Sequence, residues 1–342
     1  MADFIKYIAA LFPGPLNQRK YINRKGPAAV FPFYHAVSQN ELSHLKHLYK
    51  LRTPEQFEKD LDYMLKFFNP VKMSEFLSGK IPVDPHRIPM VLSFDDGLIQ
   101  CYEVVMPILI SKGVPATFFV NNAFIDNKAL FYRFKISLLM ERLEEVFEEQ
   151  RVKAAQILHC EIKDIRKRLD IVNYVEREIT DQVADAWNYS FSEYMRKDPV
   201  YLSSMHINKM VEEGFEFGSH GIDHPMFSLL KRRTTIDHIK TSMEDLKKRY
   251  KLDHKYFAFP FTDSGVQDAT IEHLFRANII DAGFGTAGLK DDKWPNYYQR
   301  IPMEQFDRDA KNVLRGEINR RRIRLMLGKN LVDRNAKPDD KD

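Results

Sequence analysis

The sequence predicts an α/β fold with a parallel sheet or barrel. Three observations point that way: six short runs rich in Val, Ile, Phe and Tyr recur along the chain, helical patterns separate them, and the runs lack clean alternation. Strands buried on both faces read as continuous apolar runs. Strands alternating with helices form parallel sheets or barrels.

In chain order the strand runs are 28–34, 89–94, 116–120, 215–218, 256–261 and 279–285. The stretch 53–68 opens Thr-Pro-Glu-Gln, a helix cap with Pro in the first turn. It then puts Phe57, Leu61, Met64, Leu65 and Phe68 on one face. Helix 102–110 follows the second strand, 205–211 precedes the fourth, 235–250 the fifth and 269–277 the sixth. From 126 to 199 no strand run appears, and charged helices are expected over 154–169 and 172–195. Ile136, Leu139, Leu143 and Val146 form an apolar stripe there. Glu141, Glu144, Glu145, Glu148 and Glu149 lie largely off it as a solvated face. We read 126–199 as a helical insertion into one α/β domain, long for a plain connection. Leaving the sheet after the third strand, it is expected to overhang the site, with an oligomer contact or inert decoration as the alternative.

The chain has 342 residues, enough for one large domain or two small ones, and 44% are hydrophobic, so a packed core is expected. Lys+Arg of 52 against Asp+Glu of 48 leaves a net charge of +4, which argues against a nucleic-acid partner. Two cysteines, Cys101 and Cys160, build neither a disulfide framework nor a thiolate metal site. No apolar run is long enough to span a membrane. Residues 1–25 read as an N-terminal extension without a signal-peptide pattern, so the chain is expected to be cytoplasmic. Phe4, Ile5, Ile8, Leu11 and Phe12 share a helical face that would dock on the domain or make a weak membrane-surface contact. The main domain is expected over 26–327. Arg320, Arg321, Arg322 and Arg324 give it a basic end, and 328–342 reads as a tail, disordered from about Asn335.

Two motifs carry chemistry. Ser93-Phe94-Asp95-Asp96-Gly97 ends the second strand, where a barrel would place its active site. Adjacent carboxylates there can divide labour, one binding a cation and the other taking a proton, or one can simply cap the next helix. His220-Gly221-Ile222-Asp223-His224-Pro225 follows the fourth strand in the same relation. One carboxylate and two imidazoles make a catalytic metal set with an open position.

These residues resemble the polysaccharide deacetylases of the NodB-homology type, carbohydrate esterase family 4. Residues 93–97 resemble that family's Thr/Ser-Phe-Asp-Asp-Gly, and 218–225 its Gly-Ser-His-x-x-x-His-Pro. Val114-Pro115-Ala116-Thr117-Phe118-Phe119-Val120 is similar to a further family strand. Phe257-Ala258-Phe259-Pro260-Phe261 is similar to the third motif, an aromatic-proline loop lining the sugar pocket. Pro32-Phe33-Tyr34-His35 resembles the strand opening the branch that handles poly-N-acetylglucosamine-type substrates.

The resemblance implies a distorted parallel (β/α) barrel of about seven strands and metal-dependent hydrolysis of an acetyl group from an acetylated carbohydrate. It gives Asp95 as general base toward an ion-activated water and Asp96, His220 and His224 as metal ligands. A backbone N–H near 96–97 or in the third motif would help hold the oxyanion. Zinc is the default, with nickel or cobalt compatible. Phe259, Pro260, Phe261, Asp263 and Arg300 are the implied substrate-side residues.

The chain departs from the pattern in places. No His follows His273, where many family members carry the acid; in the branch with the Tyr-His strand the first-strand His plays that role, so the resemblance implies His35 as the candidate acid. Ala258 stands where the third motif carries an Arg that orients the base, and Arg300 is the candidate replacement. Thr262 replaces a Gly, and Gly221 a Ser or Thr whose role Ser219 would have to fill. These departures leave two rivals. One is an O-acetyl esterase or other deacylase at the same site. The other is a non-catalytic carbohydrate-binding homologue that keeps the metal. His44 and His47 read as loop residues, and Trp294 as core or a sugar platform.

Overall fold

The computed structural model describes residues 29–80, 87–304 and 308–334. The expected N-terminal amphipathic face and the tail beyond 334 lie outside them.

The apolar runs become short, buried strands. β1 is Pro32–Tyr34, β2 Phe68–Pro70, β3 Ile88–Met90, β4 Leu92–Phe94, β5 Ala116–Val120, β6 Glu216–Ser219, β7 Tyr256–Ala258, β8 Ala282–Gly285, β9 Tyr297–Gln299 and β10 Ile301–Pro302. β2 and β3 pair apart from the rest, and the other eight form one sheet in the order β10-β1-β4-β5-β6-β7-β8-β9. All of its pairings are parallel.

β9 and β10 are consecutive pieces of one strand that steps at Arg300. The Arg300 N–H donates to Gly285 O on one side (3.0 Å), and the Ile301 N–H to Phe31 O on the other (2.8 Å). That step closes the sheet into a seven-stave barrel. It is distorted at β6 and β7, which share only the Ser219–Phe257 register pair.

The period-2 geometry of each strand separates two packing layers. Leu92, Phe94, Phe118 and Val120 face outward onto Phe57, Leu61 and Leu109 of the surrounding helices. Phe31, Val91, Phe119, Ala258 and Phe284 fill the inside.

Helix α1 (Pro54–Phe67) starts where the cap predicted. Gln56 N–H donates to Thr53 Oγ1 and Thr53 N–H to the Gln56 side chain, and Phe57, Leu61 and Met64 are buried. α2 is Met73–Leu77. The helix after β4 begins as a π-helical turn over Cys101–Val105 and continues as α3 (Met106–Lys112).

The insertion contains α4 (Tyr132–Arg142), α5 (Glu148–Leu158), α6 (Ile165–Asp170), α7 (Ile179–Ala186) and α8 (Phe191–Lys197). The two long helices expected there are broken: His159 ends α5 in the left-handed region at φ 51°, and 187–190 separate α7 from α8. The insertion has its own core around Trp187, Leu139, Leu158 and Leu169. That core runs on into Ala36, Leu45 and Leu98 from the barrel side, and Glu144, Glu145, Glu148 and Glu149 face solvent. α9 (Ser204–Glu212), α10 (Arg232–Tyr250), α11 (Asp268–Arg276) and α12 (Ala310–Met326) complete the wall. None of the described helices is long and apolar enough to cross a membrane.

The segment expected to begin a tail is packed as far as it is described. Leu331 bridges to Asp291, and Arg334 is buried. Asp263, Asp268 and Asp292 hold it there, so the packed chain runs past 327.

Candidate metal and catalytic centre

The C-terminal end of β4 supplies two carboxylates that point differently. Asp95 continues the strand, its N–H on Tyr34 O (2.9 Å). Asp96 and Gly97 then turn through the left-handed region at φ 70° and 68°. A side chain at Gly97 would place Cβ 2.8 Å from Val120 Cγ1, so both the turn and the close approach require glycine.

Asp95 meets Arg300 in a two-pronged ion pair, Nη1–Oδ1 at 2.6 Å and Nη2–Oδ2 at 2.7 Å. Both side chains are essentially inaccessible, 2% and 0% exposed. The guanidinium also donates to Ser93 Oγ (3.2 Å) and lies 4.3 Å from the Phe33 ring centroid. Burial pushes the Asp95 pKa up, but the Arg300 charge outweighs it and holds the carboxyl below its ordinary range. Asp96 is likewise held well below that range: burial opposes ionisation, and the electrostatic attraction of His224, His35 and His220 overrides it.

His220 follows β6 with its N–H on Val120 O (2.9 Å). Its Nδ1 lies 2.8 Å from Ala258 O. A carbonyl only accepts, so Nδ1 carries the proton and Nε2 is left as the ligand atom. Burial lowers the His220 pKa to about 4, which keeps the ring neutral.

Asp96 Oδ1 lies 3.6 Å from His220 Nε2 and 3.2 Å from His224 Nε2. The donor atoms of Asp96, His220 and His224 all fall within 4.8 Å of one another, and all three residues are buried. A tetrahedral ion with bonds of about 2.0–2.1 Å sets its ligand atoms about 3.3 Å apart, so the donor set fits a divalent ion. Asp96 Oδ1 is also a buried acceptor without a hydrogen-bond partner.

The ligand loop is braced from behind. Gly221 N–H donates to Ser219 Oγ (3.0 Å). Ile222 N–H donates to His238 Nε2 (2.7 Å). Gly221 itself sits at φ 86° with His238 Nε2 3.2 Å from where a Cβ would be.

His35 stands just past β1. Its Nδ1 makes a short contact with Glu304 Oε2, and its backbone N–H donates to Glu304 Oε1 (3.0 Å). Its ring stacks on Tyr49 at 4.5 Å. Burial works against the charged form, but the Glu304 charge and hydrogen bond prevail and raise the His35 pKa to about 9. Asp96 and Asp95 also raise it, which places the imidazole within electrostatic reach of both.

The substrate-side expectations need correction. Phe259 does not reach the mouth: it is fully buried against Phe227 and Phe257. Pro260 is buried too. Of that loop Phe261 alone faces the centre, edge-on to His224 at 4.6 Å and 36% exposed. The Asp263 carboxylate is consumed by Gln299 (3.0 Å) and Arg334 (2.9 Å). Arg300 is turned inward onto Asp95 and is fully buried.

His44 and His47 bind Tyr194 and Glu141 of the insertion (2.9 and 2.6 Å), away from the ligand set. Trp294 packs on the edge of the core. Sequence reasoning missed Glu304, Tyr49, His238 and Phe131. Each touches the site from a distant segment, and no local spacing marks any of them.

A closed parallel barrel with clustered carboxylates and imidazoles at the C-terminal ends of its strands is the architecture of a barrel enzyme. More narrowly, the chain belongs to the polysaccharide deacetylase family, whose profile matches residues 83–278. It is thus a hydrolase of the class acting on carbon–nitrogen bonds other than peptide bonds.

Among solved structures it is similar to the Streptococcus pyogenes deacetylase PplD in complex with acetate (15% identity, TM-score 0.54, 84% of this chain and 97% of that one). It is similar to IcaB from Ammonifex degensii (18%, 0.53, 84% and 97%). It is also similar to a de-N-acetylase from Aggregatibacter actinomycetemcomitans (12%, 0.51, 83% and 99%). At these identities the likeness shows a shared fold. The comparison with curated proteins found no match.

Proposed function

We propose that the protein is a metal-dependent deacetylase that hydrolyses the N-acetyl amide of an acetylated sugar or polysaccharide. The observation that carries this reading is the Asp96–His220–His224 cluster lying against an ionised, Arg300-clamped Asp95, with a cationic His35 within electrostatic reach.

Bound by Asp96, His220 and His224, a divalent ion, zinc by default with nickel or cobalt compatible, would supply Lewis acidity toward the acyl oxygen and toward the attacking water. Asp95 takes the proton of that water. Arg300 keeps it ionised and fixes its plane, so the carboxylate is ready at neutral pH. His35, protonated and held by Glu304, delivers a proton to the departing sugar nitrogen. Phe261 presents an apolar wall beside His224.

The missing third-motif Arg at Ala258 motivates a non-catalytic reading, and Arg300 removes that motive because it does the same work from another strand. The test is acetate release from N-acetylated and O-acetylated sugars by the zinc-loaded protein, with and without chelator. Chelator-sensitive release from the amide supports the proposal. Release from esters alone, or none from either, overturns it.

A further inference from the structure

The two imidazoles of the centre are held by different means. His220 is fixed by the hydrogen bond from Nδ1 to Ala258 O. His224 has no equivalent: its Nδ1 is buried and lacks a hydrogen-bond partner. Its backbone is also in the left-handed region, at φ 58°. Metal-ligating imidazoles are ordinarily oriented by an acceptor on the second nitrogen, so another contact must set this ring.

Two aromatic rings lie against the imidazole. The Phe131 centroid lies 4.2 Å from the imidazole, tilted 46°, and Phe261 meets it edge-on at 4.6 Å. Phe131 comes from the insertion, at the N-cap of α4. Its own position is fixed: Phe131 N–H donates to Tyr201 Oη at 3.0 Å. The insertion grips the same loop a second time, because the Tyr174 hydroxyl sits 2.9 Å from both oxygens of Asp223, the residue before His224.

We propose that Phe131 is a positioning residue of the metal centre. The insertion supplies an aromatic clamp that orients His224 in place of the missing hydrogen bond, and so sets how tightly the ion is held. This rests on the reading that Asp96, His220 and His224 bind a divalent ion.

The experiment measures zinc affinity by competition with a chromogenic chelator, and folding by circular dichroism, with no use of turnover. Phe131→Ala is expected to weaken zinc binding by about 10–100-fold, and Phe131→Leu, which keeps the bulk, to recover part of the loss. Phe134→Ala is the control. It is fully buried in the same apolar cluster and packs on Phe131 at 5.1 Å, but its other ring contacts are with His44 and Tyr201 rather than with His224. It should lower thermal stability while leaving zinc affinity nearly unchanged.

Wild-type affinity in both Phe131 variants, or equal weakening by Phe134→Ala, overturns the clamp alone. Failure of the wild type to bind zinc, or unchanged binding in His220→Ala, overturns the metal centre and the clamp with it.

Discussion

The Asp95 carboxylate is buried yet charged because Arg300 meets both of its oxygens. Two consequences separate its roles. Asp95→Asn keeps the shape and cannot accept a proton, so it should retain metal and lose activity by about 10²–10⁴-fold. Near-normal turnover in that variant moves the base elsewhere. Arg300→Met leaves a buried carboxylate unpaired and should cost about 3–5 kcal/mol of stability in urea unfolding. His35 gives the pH signature. Its pKa rises from about 6.5 in the unfolded chain to about 9 in the folded one. Folding therefore favours its protonated form: the stabilisation is fully present below about pH 6.5 and is lost as pH rises through about 9. NMR titration of the metal-free protein should find the His35 midpoint near 9. In Glu304→Gln it should fall, because the main charge opposing burial is gone and only Asp96 and Asp95 still favour the protonated ring. A wild-type midpoint at the free-histidine value removes His35 as the acid. Asp95 with Asp96, adjacent, and His220 with His224, four apart in one loop, were legible as pairs because each lies in one short stretch after a strand. Glu304 was not, since it reaches His35 across 269 residues of chain.

At the scale of elements, legibility follows how local the determinant is. The Thr53 capping box is written in four consecutive residues, and α1 begins where it says. Thr53→Ala should cost about 1 kcal/mol, a fall in melting temperature of about 2–4 °C; an unchanged melt would show that tertiary packing alone fixes that end. The last strand was not legible. Its run Tyr297-Tyr298-Gln299-Arg300-Ile301 holds two polar side chains that are nonetheless buried, Gln299 on Asp263 and Arg300 on Asp95. An apolar-run criterion passes over a strand whose inward residues are polar because the site needs them. The insertion was legible as helical but not in its breaks, because a left-handed residue such as His159 carries no sequence flag comparable to glycine.

At the scale of the whole molecule, the barrel is fastened by its last described residue. Arg334 crosses to the third-motif side and donates to Asp292 at 2.5 Å and Asp263 at 2.9 Å, with Asp268 at 3.4 Å. Its side chain is 1% exposed, as is that of Asp292, and its guanidinium lies 4.5 Å from the Tyr297 ring centroid. Asp263 and Gln299 flank the loop bearing Phe261 and the strand step bearing Arg300, so the contacts of Arg334 brace both sides of the site. Composition alone set the end of the domain at 327, because a polar Asn330-Leu331-Val332-Asp333-Arg334 sequence buries its charges only where matching aspartates wait, and those come from 263, 268 and 292. Ending the chain at Asp333, or replacing Arg334 by Met, leaves two buried carboxylates without their cation, at a cost of about 3–5 kcal/mol. Arg334→Lys keeps the charge but not the planar fork, so it should recover only part of the loss. Urea unfolding of the four proteins decides the matter: if the chain ending at Asp333 unfolds at the wild-type midpoint, residue 334 is an ornament and the barrel closes without it.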